Sequence, residues 1–89
     1  MTEVEIFATD TCEWCKKARD YADADPDIRY VYFNMTKNPH LKRVFEKRYP
    51  GVKTVPQITV DGKHVGGYSE FVLAIETNRN ELQNVGENE

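Results

Sequence analysis

The chain has 89 residues, 39% of them hydrophobic and 30% charged, with two cysteines and a formal net charge of −3. One domain of this size buries roughly 60–65% of its extended-chain surface, a modest core that needs no covalent staple and leaves no room for a second domain. The acidic balance argues against a general nucleic-acid binder and no apolar run approaches the ~20 residues of a membrane span, while five Tyr, four Phe and one Trp spread along the chain mark a globular composition.

Strand and helix periods alternate along the chain. Val4 to Ala8 reads as a strand, and Thr9-Asp10-Thr11 supplies capping residue types before a helix over 13–24 whose apolar face is Cys15, Ala18, Tyr21 and Ala22. Asp25-Pro26-Asp27 stops it, and Arg29 to Phe33 is a second strand of β-formers. Strand, helix and strand in about thirty residues make a βαβ unit with parallel strands and a right-handed crossover. Asn38-Pro39 caps and opens a second helix over 39–48, carrying Leu41, Val44 and Phe45 and ended by Pro50-Gly51. Gln57 to Val60, the turn Asp61-Gly62, and Lys63 to Val65 read as an antiparallel hairpin, because Asp-Gly suits the positive φ of a tight turn. Gly66-Gly67 closes it. Ser69 then caps a third helix over 70–81 with Phe71, Val72, Leu73 and Ile75 as its apolar residues. Residues 1–83 form the expected domain, and 84–89 an expected frayed tail.

The two cysteines stand three apart in Thr11-Cys12-Glu13-Trp14-Cys15, where the first strand gives way to the first helix. Two thiols at this spacing on a first helical turn close into a small disulfide ring, so one attacks a substrate disulfide and the other resolves it. Half of a zinc site has the same spacing, but neither His40 nor His64 stands at ligand spacing to complete it, and no metal site is expected. Cys12 lies beside the unpaired N–H groups and positive dipole end of the helix, which favour a thiolate and make it the nucleophile. Cys15, a turn deeper on the apolar face, is the resolving thiol. Lys16 and Lys17 follow one turn on. With no leader ahead of the first strand, a reducing cytoplasm is the expected compartment, and there a lone C-x-x-C reads as catalytic.

Three separated segments, Thr11 to Cys15, Lys53-Thr-Val-Pro-Gln-Ile58 and Asp61-Gly-Lys-His-Val-Gly-Gly-Tyr-Ser-Glu-Phe71, resemble those of a dithiol glutaredoxin, and the resemblance spans residues 4 to 80. It implies an α/β, thioredoxin-like fold of order β-α-β-α-β-β-α, a four-stranded mixed sheet with helices on both faces. It also implies disulfide exchange with glutathione as co-substrate and no tightly bound cofactor. In this family the proline matching Pro56 is cis and faces the dithiol, and the residue matching Val55, after Thr54, offers its backbone to the substrate. Extended pairing needs free backbone groups on a rigid edge, which such a bend supplies. Gly66 and Gly67 allow close approach, and amides at the third helix's N-terminus suit a carboxylate. By resemblance the amides of Tyr68 and Ser69 and the Ser69 hydroxyl take the γ-glutamyl carboxylate of glutathione, and Glu70 its ammonium. Trp14 is an exposed wall of that groove. Arg43 and Lys53 match positions that meet the glycyl carboxylate, within a basic stretch of Lys37, Lys42, Arg43, Lys47, Arg48 and Lys53 against the single acid Glu46.

The chain departs from the usual family pattern at three places. Glu13 replaces the usual proline and opposes thiolate formation at Cys12 by Coulomb repulsion, while itself gaining from the helix terminus. Trp14 replaces tyrosine, and Thr9 stands where a lysine is frequent. The expectation is a monomeric glutathione-dependent thiol–disulfide oxidoreductase acting on disulfide-bearing proteins, with ribonucleotide reductase as a family substrate. The alternatives are a thioredoxin-like reductant recharged by a flavoprotein reductase, and a non-enzymatic protein bridging a [2Fe–2S] cluster between two chains.

Overall fold

The computed structural model describes residues 1–84, with side chains through residue 78. Its elements are β1 (Thr2–Ala8), α1 (Glu13–Asp23), β2 (Ile28–Asn34), α2 (Pro39–Arg48), β3 (Gln57–Val60), β4 (Lys63–Gly66) and α3 (Tyr68–Asn84). The strands form one sheet in the order β2-β1-β3-β4. β1 runs parallel to β2, from Thr2 opposite Ile28 to Ala8 opposite Asn34, and antiparallel to β3, from Val4 opposite Val60 to Phe7 opposite Gln57.

Alternation along β1 assigns the two faces of this sheet. Val4, Ile6 and Ala8 point to one side, where they are buried with Cys15, Ala18 and Ala22 of α1, Ile58 and Val60 of β3, and Phe71 and Ile75 of α3. Phe7 points to the other side and is buried with Phe45 and Tyr49 beneath α2. Its ring stacks on Phe33 at 4.8 Å and meets Phe45 at 5.5 Å. Helices thus cover both faces, as the sequence led us to expect.

Local chemistry accounts for the element ends. β1 begins two residues before its apolar run because the Thr2 N–H donates to the Asp27 carbonyl at 2.8 Å, extending the ladder. Asn38 caps α2, its side-chain oxygen accepting from the His40 N–H at 3.1 Å, with Pro39 in the first turn. In the β3–β4 turn, Asp61 (φ 49°) and Gly62 (φ 84°) both adopt positive φ, the type I′ geometry that Asp-Gly favours. Asp61 also ties the hairpin to β1, donating its N–H to the Glu3 carbonyl at 2.7 Å and accepting the Glu3 N–H at 2.9 Å.

The third helix corrects one expectation. It begins at Tyr68, so Gly67 occupies the cap position and Ser69 lies inside the first turn. The Glu70 carboxylate folds back to accept the Gly67 N–H at 2.8 Å, the return half of a capping box, and leaves the first-turn N–H groups of the helix uncapped. The helix is described as far as Asn84, and residues 85–89 of the expected frayed tail lie outside the described residues. Among the described residues no helix is long and apolar enough to cross a membrane.

Candidate active site

Cys12 and Cys15 are joined in a disulfide, their Cα atoms 5.2 Å apart. Cys12 is the N-cap of α1, with extended dihedrals (φ −91°, ψ 108°), and its sulfur accepts the Cys15 N–H at 3.1 Å. The capping role therefore falls to a sulfur rather than to a hydroxyl or carboxylate. Cys15 is fully buried against the α1 side of the core, whereas Cys12 is half-buried at its edge. Only Cys12 offers a partly accessible sulfur. The loop that carries it is pinned to the end of β2: the Asp10 N–H donates to Thr36 Oγ1 at 3.0 Å, and Asn34 Nδ2 donates to Asp10 Oδ1 at 2.6 Å. Lys17 is drawn aside, its Nζ 5.0 Å from the Trp14 ring centroid.

Eight of the residues expected to bind substrate line one groove of about 580 Å³: Trp14, Thr54, Val55, Pro56, Gly67, Tyr68, Ser69 and Glu70. Trp14 stands 54% exposed at its edge, with its ring 5.4 Å from that of Tyr68, so α1 and α3 meet there through two aromatic side chains. The Val55–Pro56 peptide bond is cis. Among the described residues no hydrogen bond engages the Val55 N–H or C=O, leaving both for a ligand. The first helical bond of α3 runs from the Phe71 N–H to the Gly67 carbonyl at 2.9 Å, so the N–H groups of Tyr68, Ser69 and Glu70 have no helical acceptor. The floor is tight at Gly67, where a Cβ would lie 3.1 Å from Glu70 Oε1 and 3.9 Å from the Pro56 carbonyl oxygen.

The two expected cations are placed differently. Lys53 lines a second groove of about 460 Å³, on the α2 side, which shares Val55 with the first. Arg43 lines neither groove and is exposed on α2. Its neighbour Lys42 faces the second groove, together with Thr9, Phe45 and Tyr49. One residue along a helix is a 100° rotation, enough to take a side chain off the groove. Two residues escaped the sequence reading. Gln57 lines the first groove and its Nε2 donates to both Thr54 O (3.1 Å) and Thr54 Oγ1 (3.2 Å); His64 Nε2 lies 2.6 Å from Gln57 Oε1. A long polar side chain at the head of β3 was the available signal. Among the described residues there is no group of three His, Cys, Asp or Glu side chains able to hold a metal ion.

Comparison with known proteins agrees with this geometry. The family model for glutaredoxin matches residues 4–65. Glutaredoxin 1 of Escherichia coli strain K12 is 33% identical over 78 residues, covering 82% of this chain and 92% of the relative. The glutaredoxin of Haemophilus influenzae is 36% identical over 77 residues, covering 76% and 84%. Among solved structures, reduced Escherichia coli glutaredoxin superposes with a TM-score of 0.71 at 30% identity, over 88% of this chain and 98% of that one. A buckwheat glutaredoxin–glutathione complex shares the fold, with a TM-score of 0.63 at 21% identity, over 89% and 70% of the chains. With a family match across most of its length and its C-x-x-C pair at the head of α1, this chain belongs to the glutaredoxin family and is a thiol–disulfide oxidoreductase.

Proposed function

We propose that the protein uses glutathione to reduce protein disulfides and glutathione mixed disulfides. The observation that carries this reading is the groove walled by Trp14, Val55 and the free first-turn amides of α3, which begins one residue from the disulfide. Glutathione has an extended backbone to pair with Val55. Its γ-glutamyl carboxylate suits the Tyr68 and Ser69 amides at a helix N-terminus, and its ammonium suits Glu70. Lys53 lines the second groove with Lys42 rather than Arg43, and its charge suits the glycyl carboxylate across Val55.

In the reduced protein the Cys12 thiolate attacks the glutathionyl sulfur of a mixed disulfide. A Cys12–glutathione disulfide forms and the substrate leaves as a thiolate that takes up a proton. A second glutathione thiolate attacks the same sulfur of glutathione, forming glutathione disulfide and returning the Cys12 thiolate. With a protein disulfide, Cys12 forms the mixed disulfide, and Cys15, losing its proton, attacks the Cys12 sulfur and expels the second substrate thiol. The product is the Cys12–Cys15 disulfide, which two glutathione molecules reduce at the cost of becoming one glutathione disulfide. Disulfide-bearing proteins, ribonucleotide reductase among them, are the proposed electron acceptors, and the glutathione-rich cytoplasm the proposed setting.

The test is turnover of a small glutathione mixed disulfide by wild type, Cys12→Ser and Cys15→Ser, with glutathione reductase closing the cycle. Activity should vanish in Cys12→Ser and persist in Cys15→Ser, since the first route needs one thiol. An inactive wild type, in the presence of a disulfide that strong dithiols open, refutes the reading in favour of a reductant recharged by a flavoprotein.

A further inference from the structure

We propose that His64, which does not line the groove, is a positioning residue that holds the Thr54–Val55 substrate edge in place through the side chain of Gln57. The proposal rests on the reading of that groove as the glutathione site. From Tyr49 to Pro56 the chain has neither helix nor strand, yet it presents the backbone on which substrate pairing depends. Something other than a ladder must hold it.

Gln57, 7% exposed, turns its side chain back across the bend. Its Nε2 donates to the Thr54 carbonyl at 3.1 Å and to Thr54 Oγ1 at 3.2 Å, so both amide protons are committed to Thr54. Its Oε1 therefore faces the opposite way, toward β4, and meets His64 Nε2 at 2.6 Å. An amide oxygen only accepts, so His64 carries a proton on Nε2 and donates it, as the neutral tautomer or as the imidazolium. The ring is itself held in plane. Tyr49 stacks on it at 4.2 Å and 30°, and the Tyr49 hydroxyl is fixed by a 2.6 Å hydrogen bond with Thr59 Oγ1. One line of contacts thus runs from the end of α2 through the hairpin to the substrate edge.

Removing the His64 donor leaves the buried Gln57 oxygen without a partner, a cost that the amide escapes only by rotating. Rotation releases the Thr54 carbonyl and hydroxyl, and the Val55 backbone loses its fixed direction. The sulfur chemistry at Cys12, on another element, is untouched. Binding should suffer and the chemical step should not.

Steady-state kinetics with the mixed disulfide of glutathione and 2-mercaptoethanol, together with amide NMR spectra of the oxidised protein, decide the matter in wild type, His64→Leu and His64→Gln. We expect His64→Leu to raise KM about tenfold with kcat within about twofold, and to move the Thr54 and Val55 amide resonances. His64→Gln, whose side chain keeps an N–H donor, should restore both. An unchanged KM with unmoved resonances in His64→Leu overturns the proposal. So does an equal loss of kcat and kcat/KM in both variants, which marks general damage. A wild type that fails to turn over the mixed disulfide strikes the functional reading instead, and the NMR comparison then decides the positioning role alone.

Discussion

Cys12 carries the accessible sulfur of the pair, and the residues beside it set how readily that sulfur ionises once reduced. Glu13, the first residue of α1 and exposed, brings a negative charge next to the nucleophile where a proline is usual. Lys17, one turn along α1, sits over the Trp14 ring. A carboxylate here destabilises the thiolate, hence the reduced state, and makes the dithiol a stronger reductant. Glu13→Gln should therefore raise the reduction potential by about 10–20 mV, the equivalent of a helix-terminus charge term of about 0.5–1 kcal/mol. Equilibration against glutathione and glutathione disulfide measures this. An unchanged potential would show that Glu13 acts on the helix rather than on the sulfur.

At the scale of elements, α3 does two jobs with separate residues. Its first turn supplies the free amides of the groove, and its buried side holds the cysteine helix in place. Phe71 is fully buried and its ring meets that of Tyr21 on α1 at 5.4 Å, whereas Leu73, two residues on, is 66% exposed. Phe71→Ala should cost about 3–5 kcal/mol, while Leu73→Ala should stay within about 0.5 kcal/mol. Urea denaturation of the two variants checks the contrast. A marginal domain holds only 5–15 kcal/mol or so in total, so the Phe71 variant would be close to unfolding.

For the whole molecule, the question is whether the disulfide staples the fold or only serves chemistry. The core is continuous on both faces of the sheet without it, and the ring it closes spans only Cys12 to Cys15. Loop-closure entropy for so short a ring stabilises by about 2 kcal/mol at most. The reduced protein should therefore remain folded, with an unfolding free energy no more than about 2 kcal/mol below that of the oxidised form. Denaturation with and without a phosphine reductant reads this directly. Unfolding on reduction alone would mean that the disulfide is structural.

The elements were legible before any fold was known, because their signals are local: the period-two run at Val4–Ala8, the Asn38-Pro39 helix start, the Asp61-Gly62 turn and the C-x-x-C at a strand-to-helix junction each depend on near neighbours. The sequence also marked the residues of the main groove, since they sit at motif positions. Features that depend on contacts between distant segments emerged with the folded chain. Ser69 lies in the first turn of α3 rather than at its cap because the helix starts at Tyr68, with the Glu70 side chain folded back on Gly67, an outcome that residue type alone does not rank. Lys42 rather than Arg43 faces the second groove because the phase of α2 is set by burying Phe45 and Tyr49 beneath it. His64 gained a partner in Gln57, and through it a hold on Thr54, only when β4 folded against β3. Short-range periodicity carries no record of such a pairing, and hydrogen bonds between strands are made by the fold.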